Sequence, residues 1–193
     1  MIIALAGRRI DAPDATIPRF PPENASAVRE RIYALLVDRK ATALVCSAAC
    51  GADLLALDAA GELGIQRRIV LPFEQNRFRA ASVTDRPGEW GALFDRITRE
   101  VEATGNLVIL SGEGEDDAIF AIANRAILDE ALTLARQTLP DKKAGKDTGE
   151  QPQNSVLAVL VWDGRSRGEG DLTVDFADEA RARGLSIIEI ATK

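Results

Sequence analysis

The chain has 193 residues, 46% apolar and 28% charged, enough to bury one sizeable core without staples. That balance excludes a disordered chain and a coiled coil, and no apolar run approaches the ~20 residues of a membrane-spanning helix. With 24 Lys and Arg against 30 Asp and Glu, the net charge of −6 argues against bulk nucleic acid or an anionic membrane as partner.

Six short apolar runs recur, at residues 2–6, 43–46, 69–71, 107–110, 156–162 and 185–190. The first five do not alternate apolar with polar, which suits strands covered on both faces, as in a parallel sheet. The last carries Ser186 and Glu189 and fits a strand nearer an edge. The first run is too short for a signal peptide and has no basic residue before it, so a cytoplasmic location is expected.

Helical patterns lie between the runs. Val28, Ile32, Leu35 and Leu36 follow the helix-start signal Pro21-Pro22. Residues 53–63 carry Leu54, Leu57 and an alanine-rich face, then stop at Gly64. Trp90, Leu93, Phe94, Ile97 and Val101 form a third stripe, ended by Gly105; Trp90 reads as core on that spacing. Ile119, Ile122, Ala126, Ile127 and Leu134 form a fourth, and Val174, Ala177 and Ala180 a fifth. This alternation predicts a single α/β domain over residues 1–193, with right-handed crossovers. It is a three-layer sandwich with a mainly parallel sheet of about six strands. Two segments break the rhythm. Residues 11–22 hold four prolines and read as a surface loop, and residues 140–154 are wholly polar and read as a flexible connection.

Histidine is absent, which excludes Ser-His-Asp and Cys-His catalysis and makes a zinc site unexpected; no metal or cofactor is expected. Cys46 and Cys50 read as two buried thiols.

In an open parallel sheet, ligands sit beyond the carboxyl ends of the strands. The residues there are small. Gly7-Arg8-Arg9 follow the first run, and Ser47-Ala48-Ala49-Cys50-Gly51-Ala52-Asp53 follow the second and lead into a helix. Ser111-Gly112 follow the fourth, and the stretch from Asp163-Gly164 through Gly170 to Thr173 follows the fifth. Glycine lets backbone approach a ligand, and free N–H groups at a helix start attract phosphate. Neither turn is a GxGxxG or Walker sequence, and glycines also make plain strand–helix turns. Arg8 or Arg9 can pair with a phosphate or carboxylate, or instead cap carbonyls or pair with Asp11 or Asp14. Asp163 can accept from a ribose hydroxyl or simply belong to an Asp-Gly turn. Arg77 and Arg79 read as part of a loop with Phe78, either folded over the pocket or solvated. The ligand-binding set is therefore Gly7, Arg8, Ser47, Ala48, Gly51, Asp53, Ser111, Gly112, Asp163, Gly164, Gly170 and Thr173.

The segment SAACGADLLALDAAGELGI, followed by RRIVLPFEQNRFRAASV, resembles the SLOG superfamily, which groups the cytokinin-activating Lonely-Guy proteins and the DNA-processing DprA proteins. The likeness rests on Gly51-Ala52-Asp53, Leu71-Pro72-Phe73 and the Phe78 to Ser82-Val83 loop. The late VWDG…GEGDLT segment is similar to the family's second glycine turn. The resemblance is closest to stand-alone and cyclase-linked bacterial members. It implies a Rossmann-like fold with strand order 3-2-1-4-5-6 and a nucleotide or nucleotide-derived ligand, in a sensor or effector role. A homodimer through helices is a further expectation from related folds. The alternative it implies is an N-glycosidase (phosphoribohydrolase) or a nucleoside deoxyribosyltransferase-like enzyme. The Lonely-Guy turn reads P-G-G-x-G-T-x-x-E, and here Phe176 stands where that glutamate would fall, with Asp175 one position early. Asp53, Asp163, Asp171 and Asp175 are the carboxylates open to the glycosidase chemistry.

Overall fold

The computed structural model describes residues 1–111, 117–138 and 152–193. Gly112 and residues 140–151 of the polar segment lie outside these.

Six strands form one parallel sheet: β1 (Ile2–Gly7), β2 (Ala43–Cys46), β3 (Gln66–Leu71), β4 (Leu107–Ile109), β5 (Val156–Trp162) and β6 (Ser186–Ala191). The described α-helices are α1 (Ala25–Asp38), α2 (Ala52–Glu62), α3 (Gln75–Ser82), α4 (Trp90–Glu102), α5 (Asp117–Thr138) and α6 (Leu172–Ala182). The α/β sandwich expected from the apolar runs is the architecture found.

Side chains of β1 alternate between the two faces of the sheet. Ile3 and Leu5 pack with α1, α2 and α4, while Ile2, Ala4 and Ala6 pack with α5 and α6. Both faces are therefore apolar, which is why β1 reads as a continuous apolar run. Burial of these side chains at ~25 cal/mol per Å² is the main force holding the layers together.

The strand order is β4-β3-β2-β1-β5-β6. This corrects the expected order in one respect: β4 sits at the edge beside β3, not between β1 and β5. β4 is short and Ile109 is half exposed, as an edge strand allows. The reversal of strand order consequently falls between β1 and β5.

A second correction concerns residues 75–82. They form α3 and not a loop, because the Glu74 carboxylate accepts from the N–H groups of Asn76 and Arg77 at 2.8 and 3.0 Å and caps the helix. Residues 11–20 do form a loop, but a pinned one: Asp11 accepts from the Arg19 and Phe20 N–H groups at 2.9 and 3.0 Å. Phe20 is wholly buried beneath it.

Candidate functional site

The crevice between β1 and β5 is filled by the protein's own charges. Arg8 donates to both oxygens of Asp171 at 2.7 and 2.8 Å, to Asp163 at 3.4 Å and to the Arg165 carbonyl at 2.7 Å. Its guanidinium also lies 5.6 Å from the Trp162 ring centre. Arg19 reaches in from the pinned loop to Asp163 at 3.1 Å. Burial disfavours the charge on Arg8, but Asp171 and Asp163 more than offset this and hold its pKa above the ordinary arginine value. Burial would likewise raise Asp171, yet Arg8 and the N–H groups of Arg167 and Thr173 pull it down to about 2. Asp171 is also the N-cap of α6, so a carboxylate of the chain already occupies that helix start.

Beside this crevice, at the carboxyl ends of β1 and β2, lies a cavity of about 250 Å³. Leu5, Ala6 and Gly7 form its floor. Ser47, Ala49 and Asp53 line it from the β2–α2 turn, and Phe78 and Ser82 from α3. Asp117, Phe120, Ala123, Asn124 and Ile127 line it from α5, and Arg167, Leu172 and Thr173 from the turn into α6. Arg9 completes the wall. The size sits just below the ~300–1,000 Å³ usual for small-molecule sites, and apolar walls with a few convergent polar groups are their usual make-up.

Two arginines line this space, Arg9 and the solvent-exposed Arg167. Arg9 is ion-paired to Asp85 in the turn after α3, and its buried Nε meets only the Cys50 sulfur, a weak acceptor, among the described residues. The Arg167 guanidinium has no carboxylate partner among the described residues. Burial and the neighbouring charges of Arg8 and Arg19 lower its pKa, against a smaller pull from Asp171. Of the two aromatic walls, Phe78 is fully buried and Phe120 partly open, each packed on Phe73. Asn124 donates to the Leu172 carbonyl at 2.8 Å, which fixes its amide plane.

Asp53 is the unusual group. It is 7% exposed and lies in the first turn of α2. Its carboxylate accepts from the Ala49 N–H at 3.2 Å, and no ion pair reaches it among the described residues. Burial pushes its pKa up to about 7, against smaller pulls from the Ala49 N–H and the charge of Arg9.

Of the expected ligand residues, Gly7, Ser47, Asp53 and Thr173 line the cavity. Arg8 and Asp163 are placed in the ion-pair network and not on the cavity wall. Ala48 is fully buried and not on that wall. Gly51, at φ +99°, packs against the Arg8 carbonyl and the Ile10 N–H, so the chain's own backbone fills the space beside it. Gly164 and Gly170 are exposed turn residues, and Ser111 is exposed off the end of β4. The turns at 47–53 and 163–173 do meet across one cavity. Of the glycosidase carboxylates, Asp163 and Asp171 are held by arginine, and Asp175 lines a separate groove between α5 and α6 with Arg125, Asp178 and Glu179. Cys46 and Cys50 are free and buried.

The sequence reading had no place for the α5 wall. Asp117, Phe120, Asn124 and Ile127 recur at helical spacing and face one way. Two polar residues inside an apolar stripe were the available signal.

Neither the family models nor the curated proteins include a match to this chain.

Proposed function

We propose that the cavity at the carboxyl ends of β1 and β2 binds a nucleotide or nucleotide-derived small ligand, in a sensor or effector role. The observation that carries this reading is the pairing, in one cavity, of two arginines with an open aromatic face. Arg9 and Arg167 suit a phosphoryl group, and Phe120 suits a planar base laid against it. Asn124 keeps its side-chain oxygen for a ligand donor, since its amide N–H is committed to Leu172. The position beside the point where strand order reverses, and the motif likeness to the SLOG superfamily, both add to the reading. The sensor role draws support from Arg9, which is shared between the cavity and Asp85. An anion that draws Arg9 inward weakens its hold on the surface turn at residues 83–89.

Titration calorimetry with AMP and GMP tests this. Arg167→Ala should weaken binding by ~1.5–3 kcal/mol, the worth of hydrogen bonds to a charged group. Equal affinity in the variant would remove the phosphoryl group from this cavity.

A second reading, an N-glycosidase or deoxyribosyltransferase-like activity, is favoured by Asp53 alone. Sugar–base cleavage uses a carboxyl beside the reacting bond, and one with a pKa near 7 can exchange a proton at neutral pH. Incubation with AMP, GMP and deoxynucleotides, followed by chromatography for free base, decides it. Base release that vanishes in Asp53→Asn would favour the enzyme over the binding protein.

A further inference from the structure

The buried carboxylates of this fold divide into two kinds. Asp163 and Asp171 face Arg8, and Asp163 also faces Arg19. Among the described residues Asp53 faces no cation at ion-pair distance, although it lies on the wall of a cavity that Arg9 also lines. An ionised carboxylate so buried and unpaired is costly, which favours its neutral form. Arg9, ion-paired to Asp85, has a buried Nε–H that meets only the Cys50 sulfur, a weak acceptor, among the described residues.

We propose that the cavity takes up an anionic group together with a proton: neutral Asp53 donates a hydrogen bond to the anion while Arg9 balances its charge. The proposal rests on the reading of this cavity as a site for an anionic ligand, and it adds the state in which that ligand is held. The chemistry fits a phosphoryl, sulfuryl or carboxylate group. Ionised Asp53 offers such a group two more negative oxygens, whereas neutral Asp53 offers one O–H donor. A bound anion in turn favours the neutral carboxyl, so proton and anion bind with mutual support.

Arg9, after β1, favours ionisation of Asp53, and burial at the start of α2 opposes it more strongly. Cys46, at the end of β2, is a thiol whose own pKa is raised well above the usual by burial and by Asp53, so it stays neutral. Cys50 in the β2–α2 turn is likewise raised by burial, against the pull of Arg9. From α3, Phe78 and Ser82 bring no charge to the cavity; α5 contributes Asp117, and the turn into α6 contributes Arg167.

The test is titration calorimetry of the intact protein with sulfate, which does not titrate near neutrality, and with AMP. Runs between about pH 6 and about pH 9, in buffers of different ionisation heat, read the protons exchanged. Wild type should take up close to one proton per anion above about pH 7.5, with sulfate affinity falling about tenfold per pH unit there. Asp53→Asn keeps an N–H donor at every pH and should give a flat sulfate profile with no proton uptake. A flat profile in the wild type, or the same slope in Asp53→Asn, would overturn the proposal. Proton uptake by the wild type reads the idea even if the variant folds poorly. AMP binding without an Asp53-dependent slope overturns this proposal and leaves the nucleotide reading intact. Sulfate binding with the slope, but no AMP binding, does the reverse, and no binding of either anion at any pH overturns both.

Discussion

Arg8 and Asp171 are joined by two parallel hydrogen bonds of 2.7 and 2.8 Å, with both side chains almost wholly shut off from solvent. Asp171 in turn caps α6 through the Thr173 N–H at 3.0 Å. The pair thus ties the end of β1 to the start of α6, across the point where strand order reverses.

Removing Arg8 should cost fold stability more than ligand affinity. Arg8→Met leaves Asp163 and Asp171 as buried charges with less compensation, a loss of roughly 3–5 kcal/mol. Asp171 titrates at about 2 in the fold, below the ~3.9 of an unfolded chain. Its contribution is therefore present above ~3.9 and is lost as pH falls toward about 2. Urea unfolding at about pH 7 and about pH 3 should show a larger gap between wild type and Arg8→Met at the higher pH. Equal gaps would mean that Asp171 is not held by Arg8.

Asp53 has the opposite sign. Its folded value of about 7 lies above the unfolded ~3.9, so stability contributed by the neutral form is present below ~3.9 and lost as pH rises through about 7. The full difference is roughly 4 kcal/mol at 1.36 kcal/mol per pH unit. Asp53→Asn escapes this loss. Its melting temperature should exceed that of wild type at about pH 8, with the advantage shrinking toward about pH 4. An advantage that does not change with pH would contradict a neutral, buried carboxyl.

Gly51 stands at φ +99°, and a Cβ there would lie 2.7 Å from the Ile10 nitrogen and 2.8 Å from the Arg8 oxygen. Both neighbours are backbone and cannot swing aside. Gly51→Ala should destabilise by about 2 kcal/mol or more, measured by urea unfolding. Gly7 is confined in a similar way, 2.5 Å from the Ala52 Cβ by the same construction. Unchanged stability in Gly51→Ala would show that this turn can relax.

These residues also mark what the sequence could convey. The apolar run at 156–162 announces β5 because both of its faces are covered, and such a pattern is local. The place of β4 is not local. Leu107 to Leu110 read as a buried strand, but nothing in four residues names the neighbour, and the edge position shows only in the exposure of Ile109. Helix α3 escaped notice because its residues are mostly polar and its start is set by the Glu74 cap. Of the small residues after β1 and β2, Gly7, Ser47 and Ala49 line the cavity, while Ala48 and Gly51 do not. Arg8 and Arg9 look alike in sequence, yet in the turn after β1 one reaches the buried aspartates and the other lines the cavity.

The pair Arg9–Asp85 competes with any anion in the cavity. Both side chains are about 30% exposed, which places the pair among those worth ~0.2–1 kcal/mol. Asp85→Asn should therefore tighten sulfate or AMP binding by up to about fivefold, read by calorimetry. Weaker binding in that variant would show that Asp85 orients Arg9 for the ligand and does not compete with it.

The most direct measurement of the central claim is a crystal structure of the protein with AMP. A phosphate is expected between Arg9 and Arg167, with the base against Phe120 and the ligand within reach of Asp53 and Asn124. A nucleotide seated instead in the groove of Arg125, Asp175 and Glu179, or crystals that stay free of AMP at millimolar concentration, would contradict it.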